Sequence, residues 1–573
     1  MDKKTVLDRR REFTRQFYRG NHLFLILGIL VMFLNAVLNL LTSWQMQQLV
    51  DLSTGSGNAF SFHVLMGTGG AIFGGLILAE FMHYHASPRF LSRAVGQYQE
   101  YAFRQISRKS IAAFHRENTS VYISALTNDV ASIETGYLAN IFNLFYQVVI
   151  FVGALTMMFL YSVPLTLVSL AFSGFPMLGS LLAGNRVAER EKVVSEKNQS
   201  FTATLKDGLT GFSVVKAFRA EGEMCRLIAH SIREATDAKC MRRKMTALVG
   251  AFGAFGQFVA QFGVFSVGTW MALTGKGISP GEVMVFVQLM NFVVMPIGQV
   301  PQYLAERKAA AALIDKLAAA LDENIREKGE DIPAKLESGI EVENLTFGYG
   351  ETPILQNLSF RFDAGKSYAV VGVSGSGKST LLNLLMAAHE TYGGSIRYDG
   401  AELRQVSTAS LYEMVSMVQQ NVFMFNASIR DNITMFREFP KEEVDRAIAL
   451  SGLTALIEEK GEDSLCGENG SGLSGGEKQR ISIARSLLRR SPVLLVDEAT
   501  AALDAKTAFQ VSSAILNLTG LTRVVVTHDL DADLLKRYDG ILTLKNGSVV
   551  ETGTFSELME RRGYFYSLYT VSQ

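Results

Sequence analysis

Hydrophobicity is spread unevenly along this chain, and that unevenness limits its fold more than any other feature. Long apolar runs recur up to about residue 305, whereas the remainder reads as short apolar strands, glycine turns and amphipathic helices. A helix needs roughly 20 apolar residues to cross a hydrocarbon core about 30 Å thick. Segments 23–41, 63–83, 141–161, 165–182, 248–273 and 283–300 meet that requirement, the third and fourth joined as a hairpin around Ser162-Val163-Pro164. The run after Asn21 is too long for a signal-peptide core and is expected to be a retained first span. Two solvents are implied, lipid for the first part of the chain and water for the second.

Charge orients the spans. Basic residues gather near the N-terminus (Lys3, Lys4, Arg9, Arg10, Arg11), between spans two and three (Arg89, Arg93, Arg104, Arg108, Lys109, Arg116) and between spans four and five (Arg186, Arg190, Lys192, Lys197, Lys206, Lys216, Arg219, Arg242, Arg243, Lys244). The opposite connections are short and hold little beyond Lys276, so both termini and both long loops are expected in the cytoplasm. Those loops keep helical spacing, which predicts that the spans continue as helices far out of the membrane. Segment 6–18 mixes arginine with Phe13, Phe17 and Tyr18, a composition suited to a helix at the membrane surface. Over the whole chain 55 basic residues balance 55 acidic ones, leaving no excess to attract nucleic acid. Cys225, Cys240 and Cys466 are too few and too scattered for a disulfide framework or a thiolate metal site.

Within the spans, Glu80 is the main ionisable exception, beside His83 and His85; a charge at a helix centre costs roughly 2.5 to 3.5 kcal/mol. Asn35, Asn39, Asn143, Gln147, Gln257, Gln261, Gln288 and Asn291 are candidates to face inward, with Phe255, Phe258, Phe262, Phe286 and Met290. Such a cavity suits an apolar or amphipathic small cargo, although amides also serve as glue between helices.

The soluble part carries the chemistry. The apolar run from Ser367 reads as a buried strand that leads through Gly372-Val-Ser374-Gly375-Ser376-Gly377-Lys378-Ser379-Thr380 into a helix. Glycines let successive N–H groups turn toward phosphate oxygens, Lys378 meets the β and γ phosphates of ATP, and Ser379 offers an oxygen to Mg²⁺. A second buried strand, Val493-Leu494-Leu495-Val496, ends in Asp497-Glu498, one carboxylate for Mg²⁺ and one to polarise the attacking water. Between them, Leu473-Ser474-Gly475-Gly476-Glu477 opens a helix with another anion-binding N-terminus.

This pentapeptide closely resembles the signature of the ATP-binding cassette family. The resemblance implies that Tyr349 stacks on adenine, that Gln420 lines the site and the Mg²⁺ shell, that Ala502-Leu503-Asp504 forms the D-loop contacting nucleotide, and that His528 is the switch histidine. It also implies an exporter-type fold: a six-span α-helical membrane domain with long cytoplasmic extensions, and an α/β phosphate-loop domain. The expected layout is an interfacial helix at 1–20, the membrane domain at 21–310, a linker at 311–337 and the cassette at 338–573. Helices near 116–125 and 208–216 would couple the two domains. Three positions depart from the family pattern: Glu477 stands where Gln is usual, Asp529 where exporters usually have Arg, and Ala501 where Ser is often found.

In this family each ATP lies between one cassette's phosphate loop and another's signature, so a second half-transporter, itself or a related chain, is the expected partner along with the bilayer. The reading is ATP-driven export of a drug-, lipid- or peptide-like substrate across a membrane, a bacterial plasma membrane by expectation. An importer on the same fold and an ATP-gated channel are the alternatives. With few residues ahead of the first span, a leader-processing peptide exporter is not expected.

Overall fold

The computed structural model describes residues 3–56, 60–321, 329–350, 352–498, 500 and 503–572, with the side chains at 3–9, 120, 176–188 and 572 outside that description. Ala501, Ala502 and the side chain of Arg186 therefore lie outside the described residues. The chain divides into two compact units, Met1–Phe103 with Tyr122–Ala319, and Arg104–Val121 with Ala320–Gln573.

The first unit is helical. Its elements are α1 (Lys3–Tyr18), α2 (His22–Thr54) and α3 (Phe62–Ser107), whose last residues enter the second unit together with the short α4 (Ile111–His115). They continue with α5 (Asn140–Tyr161), α6 (Val163–Thr210), α7 (Phe212–Ala217), α8 (Glu221–Leu273) and α9 (Pro280–Leu321). Among the described residues five helical segments are long and apolar enough to span a membrane; the expected span 165–182 falls within α6, whose head Val163–Phe175 is a shorter apolar stretch. At about 1.5 Å per residue the 53-residue α8 is about 80 Å long, far more than a bilayer core requires, as the helical spacing of the loops predicted.

The aromatic face of α1 packs against the rest of the unit. Phe17 is fully buried and stacks on Tyr98 of α3 with centroids 5.1 Å apart, while Phe13 meets Tyr101 edge-on at 5.0 Å. Phe286 and Met290, expected to line a cavity, are buried in the helix core with Val264 and Leu289 instead. Several of the inward amides prove to be glue: Gln257 and Gln261 both donate from Nε2 to Asn291 Oδ1, at 2.9 and 2.6 Å, tying α8 to α9, and Gln147 donates to Gln299. Glu80 is exposed in the single chain and accepts from Asn35 Nδ2 at 3.0 Å. Phe255, Phe258 and Phe262 remain exposed along α8.

At the ends opposite the basic loops, α9 begins on Ser279-Pro280-Gly281-Glu282. Ser279 N donates to Glu282 Oε2 at 2.9 Å and Glu282 N to Ser279 Oγ at 3.0 Å, a reciprocal cap. Asp51, buried near the end of α2, accepts from Gly281 N at 2.9 Å and from Gln47 Nε2 at 3.4 Å. Tyr161 of α5 donates in turn to Gln47 Oε1 at 2.5 Å. Only glycine fits at 281, because a Cβ there would sit 2.5 Å from Asp51 Oδ1.

In the second unit a four-stranded sheet, ordered β2-β1-β4-β5, accompanies a six-stranded sheet, ordered β10-β9-β3-β8-β7-β6. The first four strands to be placed are β1 (Gly339–Tyr349), β2 (Thr352–Asp363), β3 (Ser367–Gly372) and β4 (Gly393–Tyr398), followed by β5 (Ala401–Glu402) and β6 (Val415–Val418). The last four are β7 (Val493–Asp497), β8 (Thr522–Val526), β9 (Gly540–Lys545) and β10 (Ser548–Gly553). Strands β6, β7, β8, β3 and β9 are mutually parallel, and their near-continuous apolar sequences follow from burial on both faces.

The Asp51 cluster yields a stability prediction. Asp51→Ala leaves the Gly281 amide without its acceptor and should lower stability by about 1–3 kcal/mol, whereas Asp51→Asn, which keeps an acceptor oxygen, should lose less. Thermal unfolding of the detergent-solubilised protein measures both; an unchanged midpoint for Asp51→Ala would remove this cluster as a tie between α2 and α9.

Candidate functional site

Four neighbouring parallel strands deliver the expected site residues from their C-terminal ends. Strand β3 runs into the phosphate loop, β7 ends at Asp497 and Glu498, β8 precedes Thr527 and His528, and β6 precedes Gln420. Ligand sites of open parallel sheets lie at such edges because loops there converge while the strand bodies stay buried.

The phosphate loop curls as its glycines require. Gly375 and Gly377 have φ of 78° and 98°, and a Cβ at 377 would lie 2.6 Å from Leu355 Cδ2. Gly377 then opens helix α10 (Lys378–Leu385). Lys378 is 4% exposed, and its ammonium donates to the carbonyls of Gly372 at 3.0 Å and Val373 at 3.2 Å, so one of its three N–H donors is left for a phosphate. Burial lowers its pKa from the ordinary 10.5, against the pull of Glu498 and Asp497. The Ser376 hydroxyl is buried with no hydrogen-bond partner, Thr380 is buried in the first helical turn, and Ser374 is exposed at the rim. A glycine cradle, an orphan hydroxyl and a held cation together fit a polyphosphate.

Ser379 Oγ donates to Asp497 Oδ1 at 2.9 Å. Burial raises the Asp497 pKa above its ordinary 3.8, with the Ser379 hydrogen bond opposing and the Glu498 charge reinforcing the shift. One hydroxyl and one carboxylate suit Mg²⁺, which keeps most of its shell as water and substrate oxygens, and no group of three His, Cys, Asp or Glu arranged to hold a metal ion by themselves occurs among the described residues.

Glu498 is the centre of the arrangement. Gln420 Nε2 donates to its Oε2 at 2.8 Å and His528 Nε2 lies 2.7 Å from its Oε1, so residues 78 and 30 positions away grip both oxygens. Its backbone has φ of 49°, left-handed for a residue with a Cβ, a strain of the kind that active sites hold in place by surrounding contacts. Asp529, the departure beside His528, donates its N–H to Thr527 Oγ1 at 3.0 Å and accepts from Asp531 N at 3.2 Å, shaping the turn that carries the histidine.

The remaining residues stand apart from this centre. Ser474 caps helix α11 (Gly475–Arg489), accepting from Glu477 N at 3.2 Å while its own N–H donates to Glu477 Oε2 at 2.6 Å. The departure at Glu477 is thus the second half of a capping box, a role Glu and Gln fill equally. Gly475 and Gly476 form the first turn behind it, and Asp504 caps α12 (Ala505–Leu516) through Thr507 N at 3.0 Å. The Thr507 hydrogen bond holds the Asp504 carboxyl below its ordinary pKa of 3.8. Tyr349, at the end of β1, is 53% exposed, and its hydroxyl lies 3.3 Å from His389 Nε2.

The segment at 116–125, expected to couple the domains, divides in two: Arg116 is the C-cap of the short α4, and a separate helix runs Thr119–Leu126. Within the second unit, Ser110 Oγ donates to Glu390 at 3.4 Å, Arg116 pairs with Glu390, and Tyr412 Oη accepts from Ile111 N at 3.3 Å. At the other tip α6 ends at Thr210 with Gly211 as its C-cap, and α7 follows with Phe212 and Val214 exposed. Motif reading also missed the hub of Asn432 and Arg485. Buried Asn432 bridges Phe425 N and O at 2.9 and 3.0 Å, and Arg485 of α11 donates to Asn432 Oδ1 at 2.7 Å and Phe423 O at 2.9 Å. The segment after Gln420 is thereby fixed to the signature helix.

Comparison with known proteins agrees with this geometry. Residues 25–297 match the family described as ABC transporter transmembrane region, and residues 355–501 the family described as ABC transporter. The chain is 30% identical over 503 residues to the ATP-dependent lipid A-core flippase of Syntrophus aciditrophicus, covering 84% of this chain and 80% of that one. It is 29% identical over 480 residues to the flippase of the same description from Salmonella typhimurium, covering 80% of each. Its fold superposes on that of a bacterial Atm1-family ABC exporter with ATP bound, with a TM-score of 0.83 at 23% identity, over 96% of this chain and 98% of that one. A membrane-spanning helical domain joined to a phosphate-loop domain with its signature intact identifies this chain as an ATP-hydrolysing transport protein of the ATP-binding cassette transporter family.

Proposed function

We propose that this chain is one half of a dimeric ATP-driven exporter that moves a lipid-like amphipathic molecule out of a cytoplasmic leaflet, and that Glu498 is its general base. The observation that carries the reading is the carboxylate of Glu498 gripped at one oxygen by Gln420 and at the other by His528. An ionised carboxylate has about four lone-pair positions, so two anchoring contacts hold it in place and leave positions to accept a proton from water. Lys378 and the loop amides hold the phosphates, Tyr349 stacks on adenine, and Asp504 contributes from the D-loop. Ser379, Asp497 and Gln420 would hold Mg²⁺, which neutralises charge on the transferred phosphoryl group.

Ser474 and Glu477 close their own helix cap ahead of Gly475 and Gly476, and in this reading Ser474, Gly475 and Gly476 serve the nucleotide of a partner cassette. The partner is a second copy or a related chain. Because Glu498 and His528 are both present, this half is hydrolytically complete in either case. The coupling helices α4 and α7 transmit closure of the cassettes to the long helices. The lipid-like cargo is supported by the flippase relatives and by the exposed aromatic stripe of Phe255, Phe258 and Phe262; the charge pattern supports a cassette on the cytoplasmic side, and the bacterial relatives support a bacterial plasma membrane.

Glu498→Gln should retain MgATP binding while lowering turnover by about 10²–10⁴-fold. Lys378→Ala should weaken nucleotide affinity by roughly ten-fold or more, the effect of losing a charge-assisted hydrogen bond. Phosphate release and equilibrium nucleotide binding on the same preparations separate the two effects, and full turnover by Glu498→Gln would remove it as the base. Reconstituted into proteoliposomes, the wild type should move a headgroup-labelled lipid between leaflets only with ATP, and Glu498→Gln should not. Continued ATP hydrolysis without lipid movement would exclude this cargo class, and a lone chain that stays monomeric and inactive would require a related partner.

A further inference from the structure

Tyr349 is half exposed, and a ring so open needs support if it is to present one face to a base. Two neighbours supply it. Phe347, two residues earlier on β1, meets it at 5.1 Å with planes at 86°, and His389 meets it at 5.4 Å with planes at 81°. Phe347 and His389 also pack on each other at 4.8 Å. Near-perpendicular contacts of this type are favoured by ring quadrupoles and fix orientation as well as distance. His389 adds a polar restraint, its Nε2 lying 3.3 Å from the Tyr349 hydroxyl.

We propose that His389 is a positioning residue for nucleotide recognition, holding Tyr349 in the pose that stacks on adenine. The proposal rests on the reading of Tyr349 as the base-stacking residue and adds to it the group that sets its orientation.

The placement of His389 suits this task. It follows α10, the helix that opens on the phosphate loop, after a turn through Ala387 at φ 55°. The element that aligns the phosphates therefore also carries the support for the base-reading ring. From the other side the chain at this point is anchored through Glu390, which accepts from Ser110 at 3.4 Å and pairs with Arg116. Burial, reinforced by nearby His115, lowers the His389 pKa from the ordinary 6.5, which keeps the imidazole neutral near neutral pH and free to accept from the phenol. No sequence motif marks the residue; it lies 40 positions from Tyr349 in an otherwise unremarked turn.

The test compares binding of MgATP with binding of Mg-tripolyphosphate, a probe that has the phosphates but no base, by calorimetry on the full chain in lipid nanodiscs. His389→Leu should weaken MgATP about 3- to 10-fold, the worth of one aromatic contact and one hydrogen bond, and leave tripolyphosphate within about two-fold. His389→Gln, which can still accept from the hydroxyl, should recover part of the loss. In a Tyr349→Ala background, adding His389→Leu should change MgATP affinity no further, because a residue acting through another has no effect once that other is gone. Equal weakening of both probes, additive losses in the double variant, or unchanged MgATP affinity in His389→Leu beside a weakened Tyr349→Ala would each overturn the proposal. If Tyr349→Ala itself binds MgATP normally, the stacking assignment of Tyr349 fails first and takes the proposal with it.

Discussion

The chemistry of the cassette depends on the hydrogen-bond register of four adjacent parallel strands. Val418 of β6 lies opposite Val496 of β7, Asp497 of β7 opposite Val526 of β8, and Val526 opposite Val370 of β3. Those rows stop at one level, so the loops that follow begin together and bring Gln420, Glu498, His528 and the phosphate loop to a common edge. A one-residue slip would reverse the side-chain alternation of a whole strand and expose apolar residues that are now buried, which is why the core also fixes the site. The left-handed backbone at Glu498 is affordable only because this ladder and the two side chains gripping the carboxylate hold it.

The membrane unit follows different rules. Packing alone gives little direction where every side of a helix is apolar, and the specific ties are polar. Asn291 collects two glutamine donors, and Asp51 closes the first turn of a helix 230 residues away. Each such bond costs more to break in a low-dielectric setting than in water, so a few of them suffice to select one arrangement of helices.

These two regimes explain what the sequence disclosed. Local conformation was readable: the phosphate loop, the strand that leads to Asp497-Glu498 and the signature cap are set within a few residues by backbone conformation and helix termini. The long helices were readable from apolar length and loop spacing. Which face of a span turns inward was not, as the burial of Phe286 and Met290 demonstrates, because a uniformly apolar helix carries no phase information. Contacts between distant positions, such as Asn432 with Arg485 or Asp51 with Gly281, leave no local pattern at all. The break between α4 and the helix at Thr119–Leu126 was not legible, because α4 is only five residues long and its Ser110 cap looks like any polar turn.

The cap at Ser474 has one more consequence. A hydroxyl can accept through its lone pairs and donate a single proton, and here the Glu477 amide occupies an acceptor position. The proton stays unassigned and can turn toward an incoming oxyanion without breaking the cap. Because the loop conformation is already set by the capping box, little ordering entropy remains to be lost when that anion arrives. In the reading proposed above, the signature is a rigid receptor with one rotatable hydrogen, built in advance of its encounter with a partner's nucleotide.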